Sequence, residues 1–188
     1  MATYLLKKSY QRKDLKKVSF KDLWDSHGVF TTMWIFGKPV KILFFKEHFK
    51  NLIKSLKKYK LNKPNIEKDI FKLIKINLNK HKKYNHLLRV AVTSNLISIS
   101  LRKKPKLKSK LILKLINYKR TRPEFKNLKY KKILSYLSKI ETSSCDLGLC
   151  VNGKVLESAT SNILFVNKGK VYSPINKFYR GTTLKFFE

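Results

Sequence analysis

At 188 residues the chain is long enough to bury a core of ordinary size in one or two domains. Lys and Arg outnumber Asp and Glu by 44 to 11, a formal charge of +33, yet only six of the basic residues are Arg, the type that reads phosphates and base edges bidentately. With Lys, Ile and Asn enriched together, the charge reads as the drift of an AT-rich genome. That argues against a specific nucleic-acid surface and leaves nonspecific polyanion binding as the expectation.

No run reaches the roughly 18 apolar residues that a membrane span needs. The opening segment, MATYLLKKSYQRKD, lacks the apolar core and cleavage site of a secretory signal. Cys145 and Cys150 fit no metal spacing and are expected to be reduced, small and buried. Together these features predict a cytoplasmic protein with no metal site.

In chain order, Gly28 to Phe36 (GVFTTMWIF) is rich in β-branched and aromatic residues and predicts a strand. Gly37-Lys38 predicts a turn, and residues 39–45 (PVKILFF) a return strand. Over Glu47 to Tyr59, Phe49, Leu52, Ile53 and Leu56 fall at helical spacing beneath a lysine-covered face. A second amphipathic helix is predicted over Ile66 to Leu78, and Leu87 to Ser100 reads as a hairpin turning at Ser94-Asn95. Lys103 to Lys110 is a solvated loop or the approach to a boundary. The apolar run Leu111 to Tyr118 and a linker at Arg120 to Pro123 follow. Lys132 to Ile140 is predicted helical. Short strands are predicted over Leu147 to Val151, Ile163 to Asn167 and Lys170 to Ser173, with turns at Asn152-Gly153 and Lys168-Gly169.

The segment from Lys129 to Thr183 carries an ordered series of motifs. A lysine precedes a helix, and a strand and an Asn-Gly turn lead to Glu157. The run Thr160-Ser161-Asn162-Ile163-Leu164-Phe165 comes next, then Ser173-Pro174, then Gly181-Thr182-Thr183. This order resembles the second half of the class IV aminotransferases, which include branched-chain and D-amino-acid aminotransferases and aminodeoxychorismate lyase. GVFTT, GKPV and EHFKNLIKSL extend a looser resemblance through the first half.

The resemblance implies an α+β fold of type IV, with a small N-terminal α/β domain over residues 1–115. An incomplete, barrel-like cofactor-binding domain over 116–188 would complete it. It implies pyridoxal 5'-phosphate as cofactor, amino acid and 2-oxo acid as substrates, and a homodimer. Lys129 is implied as the Schiff-base lysine, and Lys132 is its rival. Lys129 precedes Glu157 by 28 positions and Lys132 by 25, and the longer spacing is nearer the family's. Glu157 would face the pyridine nitrogen, keeping it protonated so that the ring acts as an electron sink. Gly181, Thr182 and Thr183 would bind the cofactor phosphate, Tyr136 the ring oxygen, and Arg89 a substrate carboxylate.

Two departures accompany this. Asn51 stands where the family's Glu-His-x-x-Arg-Leu motif places a phosphate-binding arginine, with Lys50 and Lys54 as the nearest cations. The family also continues beyond the Gly-x-Thr turn, so a shortened C-terminal domain is expected. Transamination is the leading reading. Aminodeoxychorismate lyase, an inactive remnant and a basic nucleic-acid-binding protein are the alternatives.

Overall fold

The structure is a computed structural model and describes residues 4–187. It is α+β, and the chain divides into two compact units. Residues 4–104 with 126–128 form the first, and residues 105–125 with 129–187 form the second.

The first unit is built on one antiparallel sheet. Its strands are β1 (Tyr4–Gln11), β2 (Lys17–Val18), β3 (Gly28–Gly37), β4 (Lys41–Ile42), β5 (Tyr84–Thr93) and β6 (Leu96–Lys103), in the order β2-β1-β6-β5-β3-β4. Helices α1 (Phe45–Lys58) and α2 (Ile66–Asn77) connect β4 to β5. The register puts Val29, Met33 and Ile35 on one face with Leu88, Val90, Val92, Ile97, Ile99 and Leu101, all buried. The helices cover this face. His48 of α1 hydrogen-bonds Thr31 there, Tyr10 hydrogen-bonds Asn77 of α2, and the helices bury Leu52, Ile53 and Leu56 of α1 and Ile66, Ile70, Leu73 and Ile74 of α2. Each fully buried Leu or Ile in this layer stabilises by about 1.5–3 kcal/mol relative to exposure.

The opposite face mixes polar and apolar residues, with Phe30 opposite Ala91 and Trp34 opposite Leu87. Ser9 and Ser98 sit opposite one another with their hydroxyls 2.7 Å apart, and Arg89 and Ser100 face each other on β5 and β6. Residues Lys126–Leu128 complete the unit. Leu128 donates to the Gly28 carbonyl at 3.0 Å, Phe30 donates to the Lys126 carbonyl at 2.9 Å, and Leu128 is fully buried. Only glycine fits at position 28. A Cβ there would lie 2.5 Å from the Val92 carbonyl oxygen and 2.6 Å from Leu128 Cδ1.

Two local expectations change. The return strand after Gly37 shrinks to Lys41–Ile42, because Phe44 takes a left-handed conformation (φ 48°) and Phe45 opens α1. Stacking of Phe45 on Phe49 one helical turn later, at 5.3 Å between centroids, supports that early start. The opening segment forms β1, a strand that its lysines conceal from a pattern reading.

The second unit contains a three-stranded sheet in the order β7 (Ile112–Asn117), β8 (Cys145–Val151) and β9 (Lys154–Ser158). β7 and β8 are parallel, and β8 and β9 form a hairpin through Asn152 and Gly153, both at positive φ. A small hairpin pairs β10 (Phe165–Asn167) with β11 (Lys170–Tyr172), turning at Lys168 and Gly169. Helix α3 (Lys131–Leu137) buries Ile133 against Leu147, Leu149 and Ala159, and α4 (Thr182–Phe187) follows Gly181. Cys145 and Cys150 are free and half-buried rather than enclosed.

Candidate active site

Glu157 lies on β9, opposite Leu149 of β8, and is buried. A buried carboxylate needs partners. Oε1 meets Arg120 Nε at 2.8 Å, with the two side chains only 7% and 6% exposed, and Oε2 accepts the Tyr179 N–H at 3.2 Å. Arg120 also donates to the Pro123 carbonyl at 2.6 Å. Removing one member of such a buried pair costs about 3–5 kcal/mol, because the other charge is left stranded.

The same guanidinium lies 5.6 Å from the ring centroid of Tyr130. The Tyr130 hydroxyl donates to the Ala159 carbonyl, two residues beyond Glu157. Burial raises the Tyr130 pKa, and Arg120 partly offsets the rise. Tyr179 is shifted in the same direction for the same reasons, so both phenols stay neutral around the ion pair. Lys129 is the residue before Tyr130, and its side chain is exposed. Its rival Lys132 is exposed on α3, with Nζ 5.3 Å from the Tyr118 ring centroid. Tyr136 packs with Tyr130 and Leu137 against the apolar cluster around Ile133.

The run after Glu157 forms a polar knot. Asp146 accepts from the hydroxyls of Ser158 and Thr160, each at 2.7 Å, and the Ser158 hydroxyl accepts the Ser161 N–H at 2.8 Å. Asn162 reaches forward to accept the Gly181 N–H at 2.9 Å and to donate to the Tyr179 carbonyl. Thr182 is buried and Thr183 exposed.

The first unit holds the remaining candidates. Asn51 is half-buried on α1, flanked by exposed Lys50 and Lys54. Arg89 is buried on the sheet face opposite the helices. It pairs with the Asp22 carboxylate, donates to the Asp22 carbonyl at 2.9 Å and lies 4.2 Å from the Trp24 ring centroid. Arg89 Nε has no hydrogen-bond partner among the described residues. Among the described residues, no group of three His, Cys, Asp or Glu side chains is placed to hold a metal, and no helix is long and apolar enough to cross a membrane.

Arg120, Tyr130 and Tyr179 do not follow from sequence motifs. One signal was present: arginine is scarce in this lysine-rich chain, and three of the six arginines, Arg12, Arg89 and Arg120, are buried. Lysine cannot reproduce the planar fork such sites use.

A family model described as amino-transferase class IV matches residues 28–188. The chain belongs to the class IV aminotransferases. Members of this family are pyridoxal-phosphate-dependent enzymes and include both aminotransferases and aminodeoxychorismate lyases. A comparison with curated protein sequences finds no match.

Solved class IV structures share the fold. The branched-chain aminotransferase of Thermoproteus uzoniensis, solved with norvaline, superposes with a TM-score of 0.73 at 15% identity over 96% of this chain and 72% of its own. A Brucella abortus aminotransferase bound to the cofactor PLP gives 0.70 at 17% identity over 99% and 76%. A Legionella pneumophila protein provisionally designated a 4-amino-4-deoxychorismate lyase gives 0.66 at 18% identity over 90% and 71%.

Proposed function

We propose that this class IV aminotransferase binds pyridoxal 5'-phosphate and moves an amino group from an amino acid to a 2-oxo acid. The buried Glu157 carboxylate carries the reading. It is charged, fixed by Arg120 and the Tyr179 N–H, and suited to a basic ring nitrogen. The donor set fits the cofactor at that end. When bound, the cofactor supplies an aldehyde for amine exchange and an electron-withdrawing ring. Glu157 holds the proton on the ring nitrogen. Lys129, exposed beside Tyr130, would hold the cofactor at its aldehyde end and, once released by the substrate amine, would carry a proton away from the substrate Cα. Thr182 and Thr183 would meet the phosphate, and Asn51 stands where the family's motif has a phosphate-binding arginine. Arg89, whose guanidinium pairs with Asp22, would be the residue that receives a substrate carboxylate.

The lyase reaction is the second reading. The segment at the lysine reads Asn127-Leu128-Lys129-Tyr130, without the Lys-Ala-Gly-Gly-Asn-Tyr signature of branched-chain enzymes. Borohydride reduction of the loaded protein, digestion and peptide mapping are expected to place a pyridoxyl group on Lys129. An adduct on Lys132 reassigns the lysine, and no adduct at all refutes the function. Glutamate formation from 2-oxoglutarate, set against pyruvate release from aminodeoxychorismate, separates the two reactions.

A further inference from the structure

Arg120 has no place in the chemistry above, yet it is among the most enclosed charges in the second unit. Its Nε contacts Glu157 Oε1, another guanidinium nitrogen donates to the Pro123 carbonyl, and the group lies 5.6 Å from the Tyr130 ring centroid with a side-chain hydrogen bond to Tyr130. These contacts join three stretches distant in sequence: the loop at residues 120–123, the residue that follows Lys129, and the end of β9. A buried ion pair gives back little more than its desolvation cost, and an apolar pair of equal volume stabilises a fold as well or better. Packing alone therefore gives no reason for Arg120 and Glu157 to be charged.

We propose that Arg120 is a positioning residue. It keeps the Glu157 carboxylate ionised and aimed at the cofactor ring nitrogen, and through Tyr130 it anchors the segment that presents Lys129. The geometry divides the work. Arg120 meets one carboxylate oxygen and the Tyr179 N–H approaches the other, so the carboxylate plane is fixed from two directions. Without the guanidinium, a carboxylate this enclosed takes up a proton or turns toward water, and in either case stops acting as a fixed anion at the nitrogen.

The inference rests on the assignment of Glu157 to the ring nitrogen, and the test separates the two. The probes are pyridoxal 5'-phosphate and its 1-deaza analogue, in which C–H replaces the ring nitrogen. Affinities of the apo-protein for each are measured by fluorescence titration. The unsubstituted protein is expected to prefer the natural cofactor. Arg120→Met is expected to cut that preference about tenfold, to the level of Glu157→Gln, with little change in affinity for the analogue. Arg120→Lys, which keeps a cation beside Glu157, is expected to retain most of the preference.

If Arg120→Met weakens both ligands equally, Arg120 is scaffold only and the inference falls. If the unsubstituted protein binds both ligands equally, the role of Glu157 falls first and the inference with it. Where Arg120→Met does not fold, the uncharged pair Arg120→Met/Glu157→Gln is compared with Glu157→Gln alone. An unchanged preference supports action through Glu157, and a further loss overturns it.

Discussion

Asn162 Oδ1 accepts the Gly181 N–H at 2.9 Å while its amide nitrogen donates to the Tyr179 carbonyl, so one side chain clasps both ends of the Tyr179–Gly181 segment. A Cβ on Gly181 would stand 2.7 Å from that same Oδ1. Asn162→Ala strands two backbone groups and is expected to cost about 1–3 kcal/mol. Gly181→Ala should cost a comparable amount by forcing the amide away. Urea denaturation of both variants measures this, and unchanged midpoints would show that the clasp is incidental.

His48 lies half-buried on the sheet side of α1, its Nδ1 3.2 Å from the Thr31 hydroxyl. Burial, assisted by the charge of Lys126, lowers its pKa from 6.5 to about 4. The folded protein therefore holds His48 neutral where the unfolded chain protonates it. The stabilisation is complete above pH 6.5 and is lost as the pH falls from there toward 4. His48 adds a slope of at most about 1.4 kcal/mol per pH unit in that window. Denaturation midpoints between those limits should flatten in His48→Gln, and an unaltered profile would assign the acid sensitivity elsewhere.

Asn51 supplies no charge to a phosphate. A missing charge-assisted hydrogen bond to a partly buried anion costs on the order of 1.5–3 kcal/mol, roughly ten- to hundredfold in affinity. Asn51→Arg is expected to tighten pyridoxal phosphate binding by about tenfold or more, read by titration of the apo-protein. Nanomolar binding by the unsubstituted chain with no gain on substitution would mean that Lys50, Lys54 or another group already supplies the charge.

The +33 charge should bind polyanions without choosing among them. Competition at about 150 mM salt is expected to show weak, salt-sensitive binding that is indifferent to sequence and strandedness. A strong preference for one nucleic-acid structure would contradict the drift reading of the composition.

What a sequence reveals here depends on the range of the interaction that decides each feature. The turns at Ser94-Asn95, Asn152-Gly153 and Lys168-Gly169 and the stripe Leu52-Ile53-Leu56 are set by neighbours a few residues apart, and all are legible. Strand β1 is not, because its partner β6 lies some 90 positions away and its lysines blur the alternation. β7 was legible as an apolar run, but not as an edge strand with Ile112 and Leu115 largely exposed. In the candidate site, Glu157 stands out as one of eleven acids in a basic chain. Its counterion does not stand out. Arg120 precedes it by 37 positions, inside a stretch that reads as a linker, and no periodicity connects the two.

Residues Lys126–Leu128 belong to the first unit although the chain leaves that unit after Lys104. During synthesis the six-stranded sheet emerges whole long before the piece that caps Gly28 exists. Until Leu128 clears the ribosome, the close-packed spot above Gly28 is bare, and the Phe30 N–H lacks the Lys126 carbonyl that it later meets. The first unit is therefore closed by residues made after β7, and a fragment cut at Lys104 should be looser than the same sheet in the whole chain.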